Sequence, residues 1–362
     1  MKIRSGLGRS WLWLIVETVA VVTLAIVALL AHSTIARSLS AAINADGYWV
    51  FATLGFELIS IMTFARTQRI LLRSIGGYIS IPWMAATATI GNAISFTLPL
   101  IGPGVGTAFT FRRFVRFGSD PAAATWALGT AWMLSSIAWT LLLIVGALVS
   151  GNLVAGLAGA VTTAVIVVAS IIVIVGVRRP GLRRVASDVS LRVARRVARL
   201  RGRLDAASTA TVDQTLRRFA SFHVSRRTWA EASVLSLINW VSGAACLVAA
   251  ILAVRVNVPW SKVLLVYGAG ATVSSFNLTP GGLGVVEGTL TAGLVAAGLN
   301  SKSALGSVLI FRTATFWIPI AAGWCLYGLV DRRRAPDRAR RVEGSEGPPS
   351  REIRRAGEPD VE

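Results

Sequence analysis

Four ionisable side chains interrupt long apolar stretches of this chain: Glu17, Glu57, Glu287 and Arg312. A fifth, Arg112, follows a glycine- and proline-rich string. In a bilayer each would cost about 2.5–3.5 kcal/mol at the centre on insertion scales. Pairing, or a polar cavity, must offset that cost. Glu287 and Arg312 have opposite charge and sit on neighbouring elements, so they are expected to pair or to share a cavity. Such a pair could meet a charged headgroup, or simply hold two helices together. Glu287 also stands three residues after Gly284, where its carboxylate can cap a helix that starts beyond the glycines.

Two strings cannot continue a helix. One is PLIGPGVG (99–106); the other is TPGGLG (279–284), with Pro280, Gly281, Gly282 and Gly284. Helix limbs starting at 284 and near 106 would present free backbone N–H groups, which suit a phosphate or another anion. The first string carries no carboxylate and is followed by Arg112, Arg113 and Arg116, so it is the expected anion site. At the second, Glu287 would repel phosphate unless Arg312 neutralises it. The glycines have a plainer reading, close helix packing. Asn92, Asn239 and Asn277 are amides in apolar runs, and interhelical hydrogen bonding is the expected role. Asn92, Asn277, Glu57 and Arg112 join Glu287, Arg312 and the second glycine string as candidate residues of a substrate path.

Composition bounds what these residues can serve. Of 362 residues, 54% are hydrophobic and 15% charged, against about 25% charged in a soluble domain. The net charge of +20 comes from arginines clustered between apolar runs. That is the pattern of cytoplasmic loops and argues against nucleic acid as a partner. Cys246 and Cys325 both lie in apolar runs, and His32 and His223 stand far apart. Neither a disulfide scaffold nor a zinc motif results. No GxxxxGK string occurs. No metal or cofactor is implied.

The elements that must position the site follow from the apolar runs. Residues 11–31, 48–65, 122–149, 153–177, 231–254 and 303–330 are expected to be six full spans. The first is read as a retained helix rather than a cleaved signal peptide. Arginines follow the spans ending at 65, 177 and 330, which places those ends, and both termini, in the cytoplasm. Parity then puts both ends of 77–111 inside and both ends of 260–300 outside. Each stretch is expected to be a re-entrant hairpin broken near mid-membrane, where protein or a water-filled cavity covers irregular backbone. The fold class is thus all-α and polytopic, with 48–149 and 231–330 as an inverted repeat.

Residues 1–330 form the membrane unit. The basic loop 178–229 lies within it. There Leu182, Val185, Val189, Val193, Val197 and Leu200 recur at helical spacing among arginines. This segment is expected to lie on the anionic inner leaflet or to pack on other loops. The charged tail, 331–362, is expected to be disordered.

The run NLTPGGLGVVEGTLTAGLVAAGL (277–299), with FRTATFWIPIAAGW (311–324), resembles the lysylphosphatidylglycerol synthase transmembrane family, also called flippase-like membrane proteins. The run 92–118 is similar to that family's first-half motif, though VGTAFTF (105–111) lacks the carboxylate many members carry there. The resemblance covers roughly 11–330. It implies movement of modified phospholipid across the cytoplasmic membrane, with Glu287 and Arg312 at the family's positions. Full-length synthases add a soluble aminoacyl-transferase domain, and only a short tail follows residue 330 here. Lysine transfer is therefore not expected of this chain.

Three functions stay open on this reading. The first is an ATP-independent flippase-like transporter of phospholipid or glycolipid. The second is a non-transporting partner that docks a separate lipid-modifying enzyme. The third is a membrane-embedded lipid-linked transferase.

Overall fold

A computed structural model describes residues 45–152, 154, 218–219, 222, 224–277 and 279–332. The expected spans 11–31 and 153–177, the amphipathic segment 182–200 and the tail beyond 332 lie outside the described residues, Val154 excepted. So does Glu17.

Within the described residues the protein is entirely helical: α1 (Gly47–Arg73), α2 (Ile81–Thr97), α3 (Gly102–Arg116), α4 (Pro121–Val149), α5 (Arg226–Ala253), α6 (Trp260–Ser275), α7 (Val285–Ala296), α8 (Ser301–Arg312) and α9 (Ile318–Arg332). A 3-10 turn, Pro280–Gly282, precedes α7, and a π-turn, Thr313–Trp317, joins α8 to α9 in one rod. Local chemistry sets the starts. Asp46 accepts the Tyr48 N–H, Ser225 that of Thr228 and Asn300 that of Ser303. Pro82, Pro103 and Pro121 occupy first-turn positions that have no helical N–H to donate.

Four helical stretches are long and apolar enough to cross a membrane: 47–73, 121–149, 226–253 and 301–329. They correspond to four of the six expected spans. Helix α1 runs farther than read from sequence, through Arg66 and Arg69 to Arg73. Arg66 is exposed, and Arg69 turns its Nε to the Ile79 carbonyl at 3.0 Å, so both heads leave the apolar face to Leu71 and Leu72.

The limbs α2, α3, α6 and α7 hold 17, 15, 16 and 12 residues. All fall short of the roughly 20 needed to cross alone. They form two hairpins, α2–α3 and α6–α7. Helices α1 and α5 make the most extensive pair, and the Asp46 N–H reaches the Ala253 carbonyl at 2.9 Å. The start of α1 therefore meets the end of α5, and the two run antiparallel. The last span of each half also reaches across to the other half's first hairpin limb: α4 packs on α6, α9 on α2. Glycine permits both crossings. A Cβ at Gly146 would stand 2.8 Å from the Leu265 nitrogen, and one at Gly323 would stand 2.8 Å from the Thr89 carbonyl oxygen.

Two cores result. One holds Leu247, Ile251, Val266, Leu290 and Val308, with Val50 and Leu54 of early α1 against it. The other holds Leu71, Leu72, Met84, Phe114 and Ala127. The first collects the start of α1 and the end of α5; the second collects the end of α1 and the start of α4. The hairpins α6–α7 and α2–α3 thus enter from opposite ends of the bundle, as the parity of the sequence requires.

Candidate functional site

The second break is built around the expected pair. The Arg312 Nε donates to Glu287 Oε1 at 2.7 Å. Its Nη2 donates to the Gly281 carbonyl at 2.8 Å. Glu287 Oε2 accepts the Gly284 N–H at 2.7 Å, the cap its spacing announces. Both side chains are buried, at 6% and 12% exposure. The guanidinium lies 4.2 Å from the Phe316 ring centroid. That ring also packs on Gly281, whose φ is +58° and where a Cβ would stand 1.8 Å from Phe316 Cε2. The π-turn that follows Arg312 carries Phe316, and such turns occur often at functional sites. Every charged atom here that the geometry engages is held by a partner within the second half. The pair is a closed clamp on the break.

The first break is shorter than its string suggests. Residues 98–101 interrupt the helix, and α3 starts at Gly102, so most of GPGVG is its first turn. This corrects the start near 106. It also separates the expected anion site from its arginines. Arg112 lies ten residues past Gly102, about 15 Å along the helix. It is exposed, and so is Arg116. Arg113 is buried with its guanidinium over Trp83 and Phe117, at 5.8 and 5.5 Å from the ring centroids. The N-terminus of α3 and Arg112 do not come together.

The two breaks touch each other instead. The Asn277 side chain donates to the Leu98 carbonyl at 2.8 Å and the Ser95 carbonyl at 3.1 Å. Its backbone carbonyl accepts the Leu100 N–H at 2.8 Å. Asn277 and Leu100 are both non-glycine residues at positive φ, 45° and 57°. Asn239 fulfils its expected role, donating to Ser60 Oγ at 2.9 Å across the α1–α5 seam. Glu57 is half-buried on α1 and is not among the groups bonded to the clamp.

Asn92 lies elsewhere, in a cleft of about 90 Å³ between α1, α2, α3 and α4. Gln68, Ser95, Thr107 and Thr110 line it too. Gln68 is 5% exposed and its Oε1 has no hydrogen-bond partner among the described residues. Sequence reading missed this residue. It falls between Arg66 and Arg69, past the apolar run that ends at residue 65. Phe64 and Gln68, four apart and both on the cleft, are the signal that α1 continues.

Opposed broken hairpins inside a bundle of membrane-length helices define an all-helical, multi-pass membrane protein. The chain belongs to the family described as the lysylphosphatidylglycerol synthase TM region, whose model matches residues 11–323. That family ties it to lipid metabolism or transport at a membrane. No curated protein matches the chain.

Proposed function

We propose that this protein passes a lipid headgroup between leaflets of the cytoplasmic membrane, as an ATP-independent flippase-like transporter with both termini in the cytoplasm. One observation carries the reading. A cleft lined by Gln68, Asn92, Ser95, Thr107 and Thr110 is cut into a bundle of helices long and apolar enough to cross a membrane. A headgroup leaving water loses hydrogen bonds worth several kcal/mol in hydrocarbon, and polar groups at depth replace them. The acyl chains stay in lipid meanwhile. Exposed Trp132 and Thr107 mark the side on which the cleft opens.

The inverted arrangement supports alternating access. Asn277 latches the tip of one hairpin to the other, and the Glu287–Arg312 clamp holds the second break as a rigid piece. Release of the latch joins the cleft to the opposite side of the membrane. The chain then acts as a carrier, not a catalyst, on membrane lipids including those of the anionic inner leaflet.

Vesicles reconstituted with the purified protein and a fluorescent phospholipid test this by dithionite quenching. The expected result is loss of the inner-leaflet signal faster than in protein-free vesicles, without nucleotide. Equal rates across phospholipids and glycolipids, with and without protein, contradict it. A lipid-modifying enzyme that co-purifies, and is lost on deleting residues 182–200, would favour a docking role instead. A new lipid species made by the protein alone would favour a transferase.

A further inference from the structure

The chemistry of the first-half cleft is more specific than polarity alone. Ser95 Oγ donates to the Gly91 carbonyl at 2.8 Å, Thr107 Oγ1 to that of Pro103 at 2.8 Å and Thr110 Oγ1 to that of Gly106 at 3.0 Å. Each hydroxyl hydrogen is spent on its own helix, so each oxygen has only lone pairs left to offer. Gln68 Oε1 adds a buried acceptor without a donor. Among the described lining residues, the amide nitrogens of Gln68 and Asn92 are the side-chain donors besides the Trp132 indole. No lysine, arginine, aspartate or glutamate among the described residues lines the cleft.

This inventory discriminates among headgroups. A bare phosphate needs several donors or a cation, and finds mostly lone pairs. An ammonium would find acceptors but no counter-charge, and an unpaired charge at this depth is expensive. A neutral polyol both donates and accepts, so it matches a lining of hydroxyl acceptors and amide groups without bringing a charge. Phe64 and Trp132 supply aromatic surface for its C–H faces. The volume, about 90 Å³, is several times the roughly 10–15 Å³ that one water requires.

We infer that the cleft between α1, α2, α3 and α4 is a binding site for an uncharged, hydroxyl-rich lipid headgroup, a glycosyl or glycerol moiety, read by Gln68 and Asn92. The inference deepens the transport reading and rests on it for its physiological role, yet binding can be measured without transport.

Nanodiscs of phosphatidylcholine holding the full chain are doped with one of three probes: monoglucosyl-diacylglycerol, phosphatidic acid, or a cationic trimethylammonium diacyl lipid. Retention of each is read by native mass spectrometry. Glucosyl lipid should be retained at least tenfold over both charged probes. Gln68→Met and Asn92→Ala should each lower that retention about tenfold with melting temperature within a few degrees of wild type. Gln68→Glu, which puts a carboxylate in the cleft, should shift preference to the cationic lipid. Equal retention of the three, preference of the wild type for either charged probe, or unchanged glucosyl retention in folded Gln68→Met and Asn92→Ala overturns the inference. Selective retention without leaflet exchange leaves this site standing and removes the transport reading; leaflet exchange with charged-lipid preference does the reverse.

Discussion

The Asn277 backbone carbonyl accepts the Leu100 N–H at 2.8 Å, while the Asn277 amide reaches back to the Leu98 carbonyl at the same distance. Two residues at the tips of different hairpins, in different halves of the chain, thus satisfy each other's loose backbone groups. Broken helices leave such groups unpaired, and at membrane depth water is not there to take them. The fold meets that demand by bringing its two breaks together.

The Glu287–Arg312 clamp predicts strong non-additivity. Removing one partner leaves a buried, uncompensated charge, which typically costs 3–5 kcal/mol. Arg312→Met alone should therefore destabilise the protein far more than the double change Glu287→Gln with Arg312→Met. Unfolding of the four proteins in a mixed-micelle SDS titration measures the coupling. Additive losses would show that the pair is not linked.

The glycines of the second break should rank by what a methyl group meets. Gly281→Ala places a Cβ against the Phe316 ring at a positive φ, whereas Gly284 has a φ of +82° with open space around it. Gly284→Ala should cost about 1–2 kcal/mol of backbone strain, and Gly281→Ala clearly more. Gly104, helical and open, should accept alanine without loss. Thermal unfolding in detergent gives the order.

The two inter-half crossings should respond alike. Gly146→Leu and Gly323→Leu each push a side chain into backbone of the opposing hairpin limb, at Leu265 and Thr89. Both are expected to lower the melting temperature by 5 °C or more, on the scale of about 1–3 kcal/mol for overpacking. Gly55→Leu and Gly129→Leu, with nothing nearby, should stay close to wild type. A large loss at one crossing and none at the other would break the proposed equivalence of the halves.

Much of this architecture was legible in the residues, and the reasons are physical. Arginine clusters mark span ends that share one side, and glycine with proline fixes where a helix stops, so both hairpins and their opposed entry could be read. Glu287 and Arg312 could be matched because an unpaired charge is rarely tolerated in apolar surroundings. The cross-break bond of Asn277 could not be read, since its partners are backbone groups 177 to 182 residues away, and backbone carries no identity in a sequence. Gln68 was hidden by Arg66 and Arg69: flexible arginine stems let the helix continue past the point where charge suggests an end. Arg112 was placed at the first break by nearness in sequence, and ten helical residues carried it away.

Transport turns on the latch between the breaks, and Asn277→Ala tests this most directly. Leaflet exchange of a fluorescent lipid should be compared in vesicles carrying equal amounts of folded wild type and variant. Loss of the two side-chain bonds should ease release of the latch and raise the rate about tenfold above wild type, with melting lowered by only a few degrees because the Leu100 backbone bond survives. A variant that exchanges lipid at the wild-type rate would contradict it.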